Sequence, residues 1–471
     1  MVAVGVTHSS DETYESRWSE GVIVLNESLV RNIRDTGGLL LMESEMMRLQ
    51  EQSLRFKDKR LQTLMHYINY QSLYEAHQNQ VASKAAGVDE MTKEEYGEDL
   101  YNNITNLLTR MKTFGYHPKP TKRKYIPKLN GKMRPLGIVS YEDKLVQTVM
   151  ADVLSHIYDC RFYDFSYGFR KGKSCHDAIW FINNTIMYKP VNWVVEADIK
   201  GFFDNMSHEF IMEFLEEDLQ DKNFLRYIKR FLIAGVIEDC NFSETKKGAI
   251  QGGNISPVLA NVYLHKVLDS WFEKVVKPRM RGQAYIVRFA DDFLCLFEFE
   301  DDAKRFYSVL PKRLGKYGLE VAEDKTRILP FGRSSQSKES FNFLGFTFLN
   351  GKTRNGNYRV QLITDRKKLR AKKQELKKWL RSNMHAKVDE TIKTLNLKLQ
   401  GHYQYYGVNG NLKSLQIYYF YCVRKLFWTL RRRGQRHPLT WEKFKRKLEF
   451  YPLRKPKICN NIWNSVGCLK V

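Results

Sequence analysis

Apolar positions recur at helical spacing over residues 46–80, where Met47, Leu49, Leu54, Leu61, Leu64, Met65 and Ile68 predict a helical segment. The stretch Tyr96–Met111 reads the same way through Leu100, Ile104, Leu107 and Leu108, and Leu145, Val149, Val153 and Leu154 predict another helix. Between them the period shortens. Residues 125–134 predict a hairpin turning at Asn130-Gly131. Over 193–199, Trp193, Val195, Ala197 and Ile199 alternate with Glu196 and Asp198, which predicts a strand with one carboxylate-bearing face. Ser207 is placed to cap a helix, and Ser256-Pro257 to start another, with Pro where its missing N–H is harmless. Residues 285–297 form two apolar runs around Ala290-Asp291-Asp292, a hairpin with an acidic tip. From 366 onward the pattern is helical and strongly basic. Residues 1–45 are weakly patterned and are expected to be a loosely structured extension.

The chain has 471 residues with 43% hydrophobic content, enough for roughly three domains with sizeable cores. Lys and Arg number 77 against 53 Asp and Glu, a net charge of +24 that points to a polyanionic partner, nucleic acid before membrane. No apolar run approaches the roughly 18 residues of a membrane span, and no secretory pattern opens the chain, so no membrane association is expected. The seven cysteines are scattered without a Cys-x-x-Cys, and the histidines form no His-Glu-x-x-His. A disulfide framework, a zinc ribbon and a zinc hydrolase are therefore disfavoured, and a reducing, cytoplasmic setting in a bacterial cell is expected.

Three carboxylates end apolar strands without a sequence-local cationic partner: Asp198, Asp291 and Asp292. Singly, each reads as a turn residue. Together they offer the hard oxygen ligands that two Mg²⁺ ions about 4 Å apart need for phosphoryl transfer. A basic chain with such an acidic pocket reads as a nucleotide polymerase or a nuclease. Phe202-Phe203 follow the first aspartate, the glycine-rich Gly248–Gly253 precedes a helix, and Lys128 and Arg134 flank the first hairpin, able to grip phosphate or to form a solvated basic face.

The order of these segments resembles a reverse transcriptase, most closely the group II intron-encoded kind. The stretches that carry the resemblance are IPKLNGKMRPLGI (126–138), SYGFRKGKSCHDAI (166–179), EADIKGFFDN (196–205), GAIQGGNISPVLANVYLH (248–265), RFADDF (288–293), GLEVAEDKT (318–326) and FNFLGFTF (341–348). Phe289 stands where the family usually has Tyr, and Lys171 where Pro is usual. The resemblance implies an α+β right-hand polymerase, with fingers and a palm built on a small antiparallel sheet over 46–360. A helical, RNA-binding thumb over 361–435 and a basic DNA-binding-like tail over 436–471 would follow. It implies Asp198, Asp291 and Asp292 as metal-binding catalytic carboxylates, with the Ile199 backbone beside them. Two Mg²⁺ would be the cofactor, with Mn²⁺ as a substitute.

By the same resemblance Phe203 is the gate against a ribose 2′-hydroxyl, and Gln251 backs the incoming nucleotide and template. Lys128 and Arg134 hold the triphosphate, and Lys325 protonates pyrophosphate. Residues 366–381 carry nine Lys or Arg and one Glu. In that helix Lys372, Lys373, Lys377 and Lys378, then Arg432, and in the tail Lys443, Lys445, Arg446 and Lys447, are the expected nucleic-acid contacts. The implied partners are structured RNA, in the first place a group II intron RNA, an RNA template with a DNA primer, target DNA and deoxynucleoside triphosphates. A host-adapted reverse transcriptase in repair or defence, a non-polymerising maturase and an RNA-dependent RNA polymerase are the rival readings. Phe203 argues against the last, and the three aspartates argue against the second.

Overall fold

The computed structural model describes residues 37–56, 59–127, 131, 133–238, 241–335, 337–434 and 439–462. Among these, the strands fall into three small sheets. The first contains β1 (Thr121–Pro127), β2 (Met133–Ile138), β4 (Val236–Glu238) and β5 (Asn241–Ser243), in the order β2-β1-β4-β5. The central sheet contains β3 (Trp193–Ala197), β6 (Ala284–Phe289), β7 (Asp292–Phe297) and β8 (Arg327–Pro330), in the order β6-β7-β3-β8. The third joins β9 (Ser340–Phe343), β10 (Phe346–Lys352) and β11 (Tyr358–Thr364). With the surrounding helices this is an α+β architecture.

The first hairpin pairs as its pattern predicts, Ile126 opposite Arg134 and Pro127 opposite Met133. Its expected turn residue Asn130 and the candidate Lys128 lie outside the described residues. Gly131 takes φ +81°, the left-handed conformation such a turn asks of glycine. The central sheet is antiparallel throughout. Both faces of the strand expected at 193–199 are covered, the carboxylate-bearing one included. Val195, Ala197, Cys295 and Phe297 pack into one core, and Val194, Leu294, Leu296 and Leu329 into another. Glu196 tolerates the second face because Arg327 Nε donates to it at 2.9 Å.

Helix boundaries show where local pattern loses to tertiary contact. The segment expected to be helical over 46–80 splits into Gly37–Arg55 and Tyr70–Gln78. Between them Leu61 forms a parallel bridge with Leu219, and the Leu64 and Met65 amides donate to Asp221. The first of these helices begins at Gly37, inside the stretch expected to be loose; residues 1–36 lie outside the described ones. Ser207 caps His208–Asp218 by accepting from the Phe210 amide, and Pro257 sits in the first turn of Ser256–Leu264.

The C-terminal helices Arg366–Ser382, Val388–Tyr406, Leu412–Arg431 and Trp441–Phe450 share a third core of Leu376, Leu380, Leu395, Leu399, Tyr418 and Leu426. Strand β11 runs across the boundary expected at 360, and Phe444 and Leu453 of the expected tail close this same core. Among the described residues no helix is long and apolar enough to cross a membrane.

Candidate active site

Pairing in the central sheet brings the carboxylates together. β3 and β7 are neighbours, so Ala197 lies opposite Phe293 and the chain runs into Asp198 beside the start of β7, where Asp291 and Asp292 stand. The turn between β6 and β7 is tight, with Phe289 opposite Asp292 and Ala290 at φ +57°. That left-handed conformation costs a non-glycine residue on the order of 1 kcal/mol, so surrounding contacts must hold it. One such contact is the backbone of Gly168, where an added Cβ would lie 2.2 Å from the Ala290 nitrogen.

Beyond β3 the chain continues to pair. Ile199 bridges Val321, the Lys200 amide donates to the Glu320 carbonyl, and the Ala322 amide donates to the Asp198 carbonyl. The turn that follows delivers Lys325, whose ammonium donates to Asp198 Oδ2. Asp198 thus has a cationic partner 127 residues away that no local reading of the sequence could supply.

The electrostatics follow from this crowding. Asp291 is pushed above the ordinary carboxylate range, chiefly by burial and further by Asp198, while Arg134 and Lys325 pull it back. Asp292 is pushed up to about 6 by burial, then by Asp291 and Asp198, with Lys325 and Lys368 opposing. Asp292 is exposed at the first position of β7, so solvent screens part of that shift. The hydrogen bond to Asp198 raises Lys325. Mutually repelling carboxylates framed by Arg134, Lys325 and Lys368 make a site that favours cations at its centre and polyphosphate at its rim. Among the described residues no group of three or more His, Cys, Asp or Glu converges tightly enough to hold a metal ion, and Asp198 is turned onto Lys325. The donor set is nonetheless all hard oxygen, with a resident ammonium already on one carboxylate, which suits a divalent cation of the Mg²⁺ type.

Two openings meet here. A cavity of about 890 Å³ is lined by Arg134, Phe169, Phe203, Gln251 and Asp291. A cleft of about 1080 Å³ is lined by Arg134, Lys325, Arg366, Lys367, Lys368 and Arg370. Arg134 stands on both. Gln251 is brought in by its carbonyl, which accepts from the Gly137 amide at 2.7 Å, and by the Ala249 amide, which donates to the Phe203 carbonyl. Gly252 allows that approach: at φ +120° an added Cβ would lie 2.5 Å from the Gly137 carbonyl oxygen.

The expected nucleic-acid contacts divide. Lys377 and Lys378 are exposed, whereas Lys372 and Lys373 turn toward the neighbouring helices. Burial lowers the Lys372 pKa, and Lys373 Nζ lies 5.3 Å from the Tyr421 ring. Arg432 is exposed at the end of Leu412–Arg431, and Lys443, Lys445, Arg446 and Lys447 are exposed on Trp441–Phe450 around the buried Phe444. Sequence reasoning did not single out Phe169, Lys368 or Arg288. Phe169 is 54% exposed at φ +57° and lines the 890 Å³ cavity together with Asp291. Arg288 carried a signal, a charged residue in the apolar run Ala284–Phe289.

A family model described as "Reverse transcriptase (RNA-dependent DNA polymerase)" matches residues 119–348, the span that holds all three carboxylates, Arg134, Phe203, Gln251 and Lys325. Group II intron-encoded protein LtrA of Lactococcus lactis subsp. cremoris is 33% identical over 288 residues, 60% of this chain and 45% of that relative. Protein YkfC of Escherichia coli K12 is 29% identical over 348 residues, 66% of this chain and 89% of YkfC. A putative COX1/OXI3 intron 1 protein of Saccharomyces cerevisiae is 30% identical over 273 residues, covering 48% of this chain and 32% of the relative. The chain spans about half the length of LtrA and a third of the yeast protein. Residues 119–348 thus match the reverse transcriptase family, and the chain is similar to group II intron-encoded proteins.

Proposed function

We propose that the chain is an RNA-directed DNA polymerase that extends a DNA primer on an RNA template and binds a structured group II intron RNA to assist splicing and mobility into target DNA. The observation that carries this reading is the meeting of Asp198, Asp291 and Asp292 with Arg134 and Lys325 beside a cavity lined by Phe203 and Gln251. In this reading the three carboxylates hold two Mg²⁺ ions, with Mn²⁺ as a substitute and the Ile199 backbone adjacent. When bound, those ions supply Lewis-acid activation of a primer 3′-hydroxyl and charge neutralisation at the leaving pyrophosphate.

Arg134 grips the triphosphate from the hairpin. Phe203 sits where its ring crowds a 2′-hydroxyl, which selects deoxynucleotides. Gln251 and its glycine-supported backbone form the wall behind the base. Lys325 is 60% exposed on the acidic rim and is placed to give a proton to pyrophosphate. The C-terminal helices act as a thumb. Helix Arg366–Ser382 begins at the catalytic cleft and presents cations along a duplex backbone, and Arg432 with Lys443, Lys445, Arg446 and Lys447 extends that surface toward DNA.

The test is primer extension with the purified chain, deoxynucleotides and Mg²⁺, on an RNA template and on a DNA template of the same sequence, with filter binding to intron RNA in parallel. Extension on RNA is the expected result. RNA binding without extension on either template would favour the non-polymerising maturase instead.

A further inference from the structure

Arg288 lies in β6, two residues before the turn that carries Asp291, and its side chain is fully buried. It is saturated with hydrogen bonds. Nε donates to Asp269 Oδ1 at 2.8 Å and Nη2 to Asp269 Oδ2 at 2.6 Å, a bidentate pair with no solvent exposure on either side chain. Nη1 donates to Asn261 Oδ1 at 2.9 Å and to the Ala290 carbonyl at 3.1 Å, and Nη2 donates to Ser166 Oγ at 2.7 Å. Asn261 in turn donates to the Gly168 carbonyl at 2.7 Å. The main chain repeats the connection: the Arg288 amide donates to the Phe165 carbonyl, and the Tyr167 amide to the Arg288 carbonyl.

Besides the Ala290 carbonyl of its own turn, the partners come from two stretches of chain. Ser166 and Gly168 belong to the loop before Phe169, and Asn261 to the helix behind the glycine-rich segment of Gln251. Asp269 closes a π-helical turn, His265–Asp269, that continues from that helix. Such wide turns are uncommon and concentrate at functional sites. Here the extra width lets Asn261 and Asp269 address one guanidinium.

Stability alone does not account for this arrangement. A buried ion pair is often no more stabilising than apolar side chains of the same volume, because both charges must leave water. What the guanidinium adds is direction. It grips the carbonyl of Ala290, the left-handed residue whose conformation aims Asp291, and ties it to the two segments that wall the cavity. We propose that Arg288, held by Asp269, is a positioning residue that fixes the Ala290–Asp291 turn, and with it the Asp291 carboxylate, in the geometry needed for divalent-ion binding and nucleotidyl transfer. The proposal rests on the polymerase reading above.

The experiment uses the full chain with Arg288→Lys, which keeps a cation but loses the fork, and Arg288→Met with Asp269→Leu, which replaces the pair by apolar volume. Ser166→Ala removes a single hydrogen bond as a graded control. Single-nucleotide primer extension, primer–template affinity, thermal unfolding and Mn²⁺ titration by electron paramagnetic resonance are measured on each. The expected result is a folded apolar double variant with primer–template affinity and nucleotide KM within about threefold of the parent. Its kcat should fall on the order of 100-fold, the scale of an ångström-level misplacement, and Mn²⁺ binding should weaken. Arg288→Lys should fall alike, and Ser166→Ala by less.

A double variant with near-parental kcat and Mn²⁺ binding overturns the proposal. So does a loss of activity that only tracks lost folding across Arg288→Lys and Ser166→Ala. A parent chain that binds Mn²⁺ but extends no primer defeats the polymerase reading instead, and the Mn²⁺ titration then still decides whether Arg288 sets the carboxylate geometry.

Discussion

The turn that carries Asp291 and the helical bundle that begins at Arg366 both depend on basic residues, used in opposite ways. At the turn, Arg288 is fully buried and five directed hydrogen bonds fix its neighbours. In the bundle, Leu376, Leu380 and their neighbours form an independent core while Lys377, Lys378 and the tail cations face water. A buried cation acts through geometry and is insensitive to salt. An exposed one acts through charge, is screened within about 8–10 Å at ordinary ionic strength, and tolerates displacement. Chemistry at the carboxylates and grip on nucleic acid should therefore separate cleanly.

The largest effect comes from breaking the acidic side of that comparison. Asp291→Ala with Asp292→Ala should lower primer extension by at least about a thousandfold, the loss of several kcal/mol of metal-borne stabilisation. Affinity for structured RNA should hold or rise slightly as negative charge is removed. Paired extension and filter-binding assays check this, and a folded variant that loses RNA binding too would erase the proposed separation. Next comes selectivity inside the cavity. Phe203→Ala should raise ribonucleotide incorporation relative to deoxynucleotide by about tenfold or more, since a pocket group worth about 1–3 kcal/mol is removed. Competing single-nucleotide extensions measure the ratio, and an unchanged ratio removes Phe203 from the gate.

The lysines of the first bundle helix sharpen the contrast further. Lys377→Ala with Lys378→Ala should flatten the slope of log K against log salt by about 0.9 for each duplex phosphate that a lysine no longer neutralises, with no change in Tm. Lys372→Met should leave that slope alone and leave Tm unchanged or raised, because burial already disfavours its charge. Equal slopes for the two variants would mean that burial does not sort these lysines.

The smallest effect concerns two histidines withdrawn from solvent, His402 buried and His265 partly buried, one in each region. Burial holds both His265 and His402 down to about 3, helped by Arg288 and Lys266 at the first and Lys372 at the second. Both take up a proton near about 6.5 once unfolded. The unfolded chain therefore binds more protons between about pH 6.5 and 3, so the stability these rings contribute is complete above about 6.5 and is lost as pH falls toward 3. His402 has no hydrogen-bond partner on either ring nitrogen and lies 4.2 Å from the Tyr418 ring. His402→Leu should raise Tm by a few degrees at about pH 5 and by less at about pH 8. Equal shifts at the two pH values would show that packing, not protonation, sets the difference.

The sequence by itself determined what local chemistry decides. The hairpin at 125–134, the cap at Ser207, the start at Ser256-Pro257 and the acidic turn at 290–292 were legible because turn conformation, capping and the two-residue strand period involve neighbours along the chain. So was the candidate set of Asp198, Asp291 and Asp292 as an ordered series of segments. Only the tertiary structure decided the rest. The break in the helix expected over 46–80 comes from Leu61 meeting Leu219, the second buried face of β3 from Val194 meeting another core, and the partner of Asp198 from the pairing that delivers Lys325. Nor could spacing along a helix tell Lys372 from Lys377, because that depends on which face the neighbouring helices cover. Each of these turns on residues distant in sequence meeting in space, with energies that come from burial and pairing across the fold rather than from the local preferences a sequence pattern records.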